Sequence, residues 1–289
     1  MAQLFQRRVK LTLSAPVDAV TTKSYVQVTR DELVVTDLRV AFNIKKTDGK
    51  EPNTAEIVVT NLNPDHRGLV QKKGLKVTLE AGYQDTGLSR IFRGDARTVD
   101  PVRNGPDWDT TIKCGDGERG YQNARVNESF APGTGAGDVL NYMASASGLQ
   151  VGNVPSVLLN ITTTFDQGYV VSGAWKHEMQ RLMRAIGYQY SVQNETLQVL
   201  LPGQSTNAEI PLISPTSGLV GSPEFGTPEK KGKPALIKFR SLLQPSTPGA
   251  LVHLRSAKYD GEVYVKKVTM SGDTYGGEWY TDFEGVLKQ

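Results

Sequence analysis

The chain has 289 residues, enough to bury a sizeable core, and this length predicts two or three domains. Lys and Arg total 33 against 30 Asp and Glu, so the formal net charge of +3 gives no argument for nucleic-acid binding. A single cysteine, Cys114, excludes an internal disulfide framework and a cysteine-based zinc site. Basic residues near the N-terminus do not suit a signal peptide, and no apolar run reaches the roughly 18 residues of a membrane helix. We therefore expect a soluble protein made in the cytoplasm.

Residues 1–114 have the pattern of short β-strands. From Leu38 to Ile44, apolar residues alternate with polar or small ones at a period of two, which is typical of a half-buried strand. Ala55–Leu62 and Leu75–Leu79 are predicted as further strands, and Trp108–Cys114 as another after a turn-rich stretch. Short strands at this spacing favour a barrel or sandwich, and we predict a first β-barrel domain here.

Residues 115–204 are predicted to form an α+β middle domain. A helix over Asp138–Ser147 ends at Gly148, and a second helix begins near Ser172, which we interpret as its N-cap. A hairpin follows, with its turn at Gln193-Asn194-Glu195. The apolar stripe of the second helix consists of Trp175, Met179, Leu182, Met183 and Ile186.

Residues 205–289 are predicted to hold a linker and a second β-barrel. The pair Pro202-Gly203 closes the middle domain, and residues 214–234 have the composition of a loop-rich connection. Strand patterns resume at Ala235–Leu243 and continue through Ala250–Gly285, where Gly and Asp turns separate β-branched and aromatic runs. The predicted fold class is mainly β, with two similar small antiparallel β-barrels flanking a small α+β domain.

The two β regions repeat the same order of elements. In the first, a strand containing Val77 precedes a turn and a long strand, and Trp108 follows 31 residues after Val77. In the second, Val252 has the same place, and Trp279 follows after 27 residues. We pair Asp116-Gly117 of the first with Glu284-Gly285 of the second. This order predicts two copies of one barrel, and the alternative is a chance likeness of two β meanders.

The residues that could carry chemistry form no catalytic, cofactor or metal site that we can assign. Gly133–Gly137 before a helix suggests a phosphate loop, but Asp138 stands where a Walker loop has Lys, and the preceding Asn127–Phe130 is not a buried strand. His66, His177 and His253 lack metal-ligand spacing. Cys114 has no local His partner, and no GxSxG elbow is present.

Two further groups of residues admit a binding interpretation. Trp108, Trp175 and Trp279 could form a sugar-binding platform, although core packing is the better interpretation of Trp175. Lys230, Lys231 and Lys233 could line a channel that conducts DNA, and a solvated loop is the alternative.

A motif of turn glycines and alternating apolar residues occurs near the C-terminal end of the sequence. It consists of Pro248-Gly249, Val252, Leu254, Ser256, Gly261, Tyr264, Val265, Val268, Gly272-Asp273-Thr274, Gly276-Gly277, Trp279, Thr281 and Glu284-Gly285. This motif resembles that of the baseplate hub proteins of contractile-tailed bacteriophages and related tail-like particles. Ala55–Tyr83 followed by Ile91–Gly94 is similar to the N-terminal barrel of the same proteins.

The resemblance implies a virion structural protein of the tail baseplate that is not an enzyme and needs no cofactor. Such hubs are homotrimers whose six barrels form a pseudo-sixfold ring around a lumen, between the tail tube or a tube-initiator protein above and the central spike below. Tape-measure and wedge proteins would be further partners, DNA would pass through the lumen, and assembly would take place in the host cytoplasm without membrane insertion. The alternatives are a monomeric carbohydrate- or cell-wall-binding module and a wall hydrolase.

Overall fold

A computed structural model describes residues 6–15, 31–48, 52–71, 74–117, 123–201, 204–206, 209–226 and 235–288. The predicted closing pair Pro202-Gly203 and the basic cluster Lys230, Lys231 and Lys233 lie outside the described residues.

Strands make up most of the described chain. Those before the middle region are β1 (Arg7–Ala15), β2 (Asp31–Val35), β3 (Val40–Thr47), β4 (Thr54–Thr60), β5 (Lys76–Tyr83), β6 (Gly87–Asn104) and β7 (Asp107–Gly115). Those of the middle region are β8 (Arg125–Phe130), β9 (Thr134–Gly135), β10 (Gln150–Val151), β11 (Thr164–Phe165), β12 (Tyr169–Ala174), β13 (Gln189–Gln193) and β14 (Thr196–Leu200). The last are β15 (Leu212–Ile213), β16 (Leu219–Phe225), β17 (Leu236–Leu242), β18 (Leu251–Arg255), β19 (Asp260–Asp273) and β20 (Trp279–Leu287).

The helices of the described residues are short. They are α1 (Pro64–Val70), α2 (Ala136–Ala146), α3 (Val154–Leu158) and α4 (Trp175–Ile186). The predicted fold class is confirmed as mainly β, with an α+β region between two antiparallel β regions. Among the described residues the strand order is open, so strand pairing does not close either β region into the separate barrel that the sequence predicts. None of the described helices has the length and apolar character needed to cross a membrane.

Both β regions belong to one 13-stranded sheet. Its strand order is β16-β17-β20-β19-β3-β4-β7-β6-β5-β1-β2, with β18 beside β19 and β15 beside β18. Strict alternation along the strands gives this sheet one apolar face, as in β3, where Val40, Phe42 and Ile44 are buried and the residues between them are not. One hydrophobic cluster runs from Val9 to Phe283 and includes both β regions.

The middle region has a separate hydrophobic cluster. Helix α4 contributes Trp175, whose indole Nε1 donates to the carbonyl of Met143 on α2 at 2.7 Å. Strand β12 pairs with β8, and β13 pairs with β14, which also pairs with β10. The buried residues of this cluster all lie between Val126 and Val199. The domain limits after residues 114 and 204 stay predictions.

Several boundaries differ from the predicted ones. Strand β6 continues to Asn104 through the stretch predicted as turns, and β16 lies inside the predicted loop of residues 214–234. Helix α4 begins at Trp175 because Ser172 is still part of β12, so the predicted N-cap is wrong. Asn127–Phe130 belongs to strand β8, although most of it is exposed. Strand pairing decides these positions, and local composition does not reveal it.

Candidate assembly interface

The chain contains one five-stranded unit twice. The first unit has the order β3-β4-β7-β6-β5, and the second has the order β16-β17-β20-β19-β18. In each unit, the last three strands in sequence form an antiparallel meander. The second strand of the unit pairs with the last strand of this meander, β4 with β7 and β17 with β20. The likeness therefore includes both order and connectivity.

A β-bulge lies at the same place in both units. The pairing of β6 with β7 shifts at Arg97, and the pairing of β19 with β20 shifts at Lys266. A bulge inserts one extra residue into one strand of a pair and is a feature of a particular strand position. The two bulges therefore give a residue-by-residue alignment of the long strands.

Backbone hydrogen bonds beside the bulges repeat as well. The amide of Ala96 donates to the carbonyl of Leu75 at 2.9 Å, and the amide of Val265 donates to the carbonyl of Ala250 at 2.9 Å. Each donor is the residue before its bulge, and each acceptor precedes the first strand of the meander. The predicted match of the two meanders is correct to the residue here.

The first strands of the two units also correspond. The amide of Thr60 donates to the carbonyl of Arg39 at 3.0 Å, and the amide of Leu242 donates to the carbonyl of Gly218 at 2.7 Å. Thr60 and Leu242 end their strands β4 and β17, so Arg39 and Gly218 take the same place just before β3 and β16. Strand β16 is therefore the counterpart of β3.

The two tryptophans are equivalent, as the order of elements predicts. Trp108 pairs with Arg103, and Trp279 pairs with Gly272, and each of these partners lies six residues beyond its bulge. The predicted match of Asp116-Gly117 with Glu284-Gly285 is wrong, because Cys114, which pairs with Ala96, corresponds to Gly285, which pairs with Val265.

The units are joined edge to edge by β3 and β19. Their antiparallel pairing runs from Lys267 opposite Thr47 to Asp273 opposite Ala41. At its end, Arg39 binds the Asp273 carboxylate through two nitrogens, with Nη2 2.6 Å from Oδ2. This contact lowers the pKa of Asp273 and raises that of Arg39. The Arg39 side chain is half exposed and reaches over the more buried Asp273, so the pair fixes the position of the strand ends.

Side chains of the first unit cover and bury Trp279 at this joint. Its ring makes edge contacts with Phe42 of β3 at 5.5 Å and with Tyr83 of β5 at 6.4 Å between centroids. The guanidinium of Arg7 lies 5.4 Å from the centroid of Trp279 and donates to nearby backbone carbonyls of the β19–β20 turn. Gly272 lies beneath these rings, and a Cβ there would come within 2.4 Å of Phe42.

The positions of the first unit that correspond to this joint are more exposed. On the edge of β6 that faces β5, residues from Thr98 to Asn104 have no strand partner among the described residues, and β16 ends the described order of the sheet. Val102 on this part of β6 is 52% exposed, and Trp108 is 37% exposed. Val220 and Phe225 on β16 are 37% and 46% exposed. The first unit therefore pairs through β3 and leaves the edge of β6 free, whereas the second unit pairs through β19 and leaves the edge of β16 free, among the described residues.

The middle region touches the first unit through the tip of the β13–β14 hairpin. Asn194 and Glu195 at this tip have φ of 54° and 61°, as a type I′ turn requires. The buried carboxylate of Asp116 accepts both of their backbone amides at 2.6 Å and the side-chain amide of Asn53 at 2.9 Å. Burial raises the pKa of Asp116, while these donors oppose that rise.

Charged side chains of the first unit enclose the same tip. Lys46 is fully buried and donates to Oδ1 of Asn194 at 2.9 Å, and burial lowers the pKa of Lys46 to about 8. Glu195 forms ion pairs with Lys76 and with Arg93, the latter at 2.9 Å. These contacts hold the middle region against the sheet in one orientation.

The residues that could carry chemistry stay dispersed in the structure. His66 lies on α1, His177 on α4, and His253 on β18, where its Nε2 is 2.6 Å from Oδ1 of the exposed Asp260. No group of three potential metal ligands occurs among the described residues. Cys114 is buried, and this burial raises its pKa to about 12.

The other two sequence candidates also have structural places. Within the stretch from Gly133 to Gly137, Thr134–Gly135 forms the short strand β9, which pairs with β11, and α2 begins at Ala136. Trp175 and Trp279 are fully buried, so the three tryptophans do not form an exposed platform.

The fold is shared with solved tail proteins. The 43 kDa tail protein of prophage MuSo2 from Shewanella oneidensis has a TM-score of 0.63 at 10% identity, over 96% of each chain. A tail protein from Neisseria meningitidis has a TM-score of 0.62 at 7% identity, over 98% of this chain and 97% of that one. An E. coli protein described as a type VI secretion component has a TM-score of 0.58 at 10% identity, over 88% and 74%.

The sequence itself places the chain more narrowly. The family model described as baseplate hub gp41 matches residues 19–256, and the chain belongs to this family. No curated protein sequence matches the chain. The predicted family is confirmed, and the protein is a structural component of the phage tail baseplate.

Proposed function

We propose that the chain is the hub of the baseplate and forms a homotrimeric ring. Two β units per chain give six similar units around one axis, so a threefold object presents pseudo-sixfold symmetry. The ring joins the tail tube, or a tube-initiator protein, on one side to the central spike on the other. The observation that carries this proposal is the β3–β19 joint, because it links two equivalent units side by side in one continuous sheet.

The polar face of this sheet supports a water-filled lumen. On the side opposite the core, a row of side chains crosses the joint through the cross-strand neighbours Lys45, Thr269, Asp282 and Arg240. Arg240 donates to the Asp282 carboxylate at 2.6 Å, and neither residue is buried. A face with charges of both signs keeps a channel hydrated, and in the proposed ring DNA and the tape-measure protein pass along it.

The proposed role is mechanical and involves no turnover. Interfaces with tube, spike and wedge proteins would position this ring, and the protein would be assembled in the host cytoplasm. The mass in solution tests the central statement. Three chains of 31.5 kDa give 94.5 kDa, and light scattering of the purified chain should show this mass. A stable monomer at high concentration would contradict the trimer.

A further inference from the structure

We propose that β16 of one protomer pairs antiparallel with the Thr98–Asn104 part of β6 in a second copy of the chain. This pairing repeats between protomers the joint that β3 and β19 form within one. The inference rests on the proposed ring and adds the strands, their register and the side chains that the contact covers.

The argument starts from equivalence. Strand β6 corresponds to β19 through the bulges at Arg97 and Lys266, and β16 corresponds to β3 through the hydrogen bonds at its start. One equivalent pair, β3 with β19, is joined within the chain. The other equivalent pair is β6 with β16, and the free edges of these two strands lie at opposite ends of the joined units. A second copy of the chain is therefore needed to bring the two edges together in the same geometry. Such a head-to-tail contact is heterologous and generates a ring when the rotation closes.

Exposure along the two long strands supports this contact. In β19, Val268 and Met270 are buried under the joint. Their counterparts in β6 are Val99 and Pro101, which are only partly buried. The same difference separates the buried Trp279 from its half-exposed counterpart in the first unit. The first unit thus lacks the cover that β3 provides in the second.

The internal joint also supplies the register. Asp273 lies opposite Ala41 within the chain. Asn104 takes the place of Asp273, because each is the seventh residue beyond its bulge. Val220 takes the place of Ala41, because each is the second residue of its strand. Asn104 of one protomer should therefore lie directly opposite Val220 of the next.

The joint between protomers should be weaker than the one within the chain. Pro101 stands where β19 has Met270, and Pro223 of β16 lies within an irregularity in the pairing of β16 with β17. Proline lacks the N–H that a ladder needs and is tolerated where that side of a strand is an edge. Gly218 and Asn104 replace the Arg39–Asp273 ion pair. Such blunted edges limit uncontrolled strand addition, which suits a contact that must form only during assembly.

A disulfide between protomers tests the register. Residues opposite each other in an antiparallel pair have Cα atoms about 4.5–5.5 Å apart, within the range of a disulfide. The chain is made with Asn104→Cys and Val220→Cys together, oxidised, and analysed on non-reducing gels. The control carries Asn104→Cys with Leu159→Cys, since Leu159 is highly exposed but lies in the middle region. The buried Cys114 should add little background.

The expected result is crosslinked species of two and three chains in the Asn104–Val220 variant, at least tenfold more abundant than in the control. A particle of three chains without this crosslink would overturn the interface and leave the proposed ring standing. A crosslinked ladder that continues beyond three chains would support the interface and contradict the trimeric hub. A chain that stays monomeric and uncrosslinked would overturn both.

Discussion

Trp108 and Trp279 occupy the same position in two copies of one five-stranded unit, yet 37% of Trp108 is exposed and only 1% of Trp279. The difference comes from what lies beside them. Phe42 and Tyr83 of the first unit cover Trp279, whereas Trp108 is contacted on one face by the guanidinium of Arg67, 4.2 Å from its centroid. Equivalent positions in one chain therefore have different environments because only one of them is at a completed joint.

The two tryptophans should respond differently to truncation. Trp279→Ala removes a fully buried indole and should lower the free energy of unfolding by about 3–5 kcal/mol. Trp108→Ala should cost about 1 kcal/mol or less in the monomer, but it should weaken self-association. Urea unfolding measures the first effect and light scattering the second. Equal losses of stability in both variants would contradict the difference in packing.

Gly272 should be intolerant of any side chain. A Cβ at this position would come within 2.4 Å of the Phe42 ring and 2.8 Å of the Trp279 ring. Both rings are held in the core, so Gly272→Ala should destabilise the protein by about 1–3 kcal/mol. Gly277→Ala is the matched control in the neighbouring turn, because its Cβ would meet no atom within 4 Å. Thermal unfolding of both variants checks this, and a neutral Gly272→Ala would show that the rings can move apart.

The Asp116 carboxylate should be needed to hold the hairpin tip. Asp116→Asn presents an amide nitrogen to the backbone donors of Asn194 and Glu195, and it leaves one of them unsatisfied in a buried place. The expected loss is about 2–3 kcal/mol, since an unmet buried hydrogen bond costs its full desolvation. Asp85→Asn, on an exposed turn, is the control. Urea unfolding and hydrogen exchange at the tip measure the effect, which would be absent if water replaced the lost contact.

Lys46 should make stability rise with pH in a defined range. Its pKa is lowered from 10.5 to about 8 in the folded protein, so the unfolded chain binds more protons between these values. The free energy of unfolding contributed by this group therefore increases as pH rises through that range and is constant below it. Between pH 8 and 9.5, wild type should gain about 1.5 kcal/mol relative to Lys46→Met.

Lys45→Met provides the control for this titration. Lys45 is the exposed neighbour on the same strand, so its replacement should leave the pH dependence of wild type unchanged. Urea unfolding at several pH values gives the comparison. Parallel curves for wild type and Lys46→Met would show that Lys46 keeps an ordinary pKa.

Cys114 should report global unfolding. The thiol is buried in the sheet and its pKa is raised to about 12, so little thiolate is present or accessible at pH 8. Labelling with a thiol reagent should be at least a hundredfold slower in the native protein than in denaturant. Rapid native labelling would show that the sheet opens locally around β7.

Local pattern in the sequence predicted much of the fold. Alternation in β3 and β4 and the apolar stripe of α4 each place side chains on one face by simple geometry, and the structure confirms them. The hairpin turn at Gln193-Asn194-Glu195 is also predicted, because two strand-like runs flank this short polar stretch, and the structure has its tip at Asn194 and Glu195. Strand β16 was missed, since Gly221 and Pro223 interrupt its pattern.

No local pattern in the sequence predicts the polar contacts at the hairpin tip. Lys46 and Asp116 lie 70 residues apart, and each looks like an ordinary surface charge in its own segment. Only the folded chain brings them to Asn194 and Glu195, where burial changes their pKa values. The free edges of β6 and β16 could not be predicted from the sequence either. The residue pattern of a strand indicates on which face its side chains lie, but it does not indicate which strand its backbone pairs with.

The sequence by itself determined most of the strands, the α+β character of the middle region, the similar order of elements in the two β regions and the family resemblance, since all of these depend on order and periodicity along the chain. Tertiary structure alone decided that the units share one sheet, that β3 joins β19, and that Trp279 is sealed while its counterpart Trp108 is open. The physical reason is that edge-to-edge pairing uses backbone N–H and C=O groups, which nearly every residue carries. The identity of the side chains therefore does not indicate which strand will be the neighbour, and this is decided only when the chain folds.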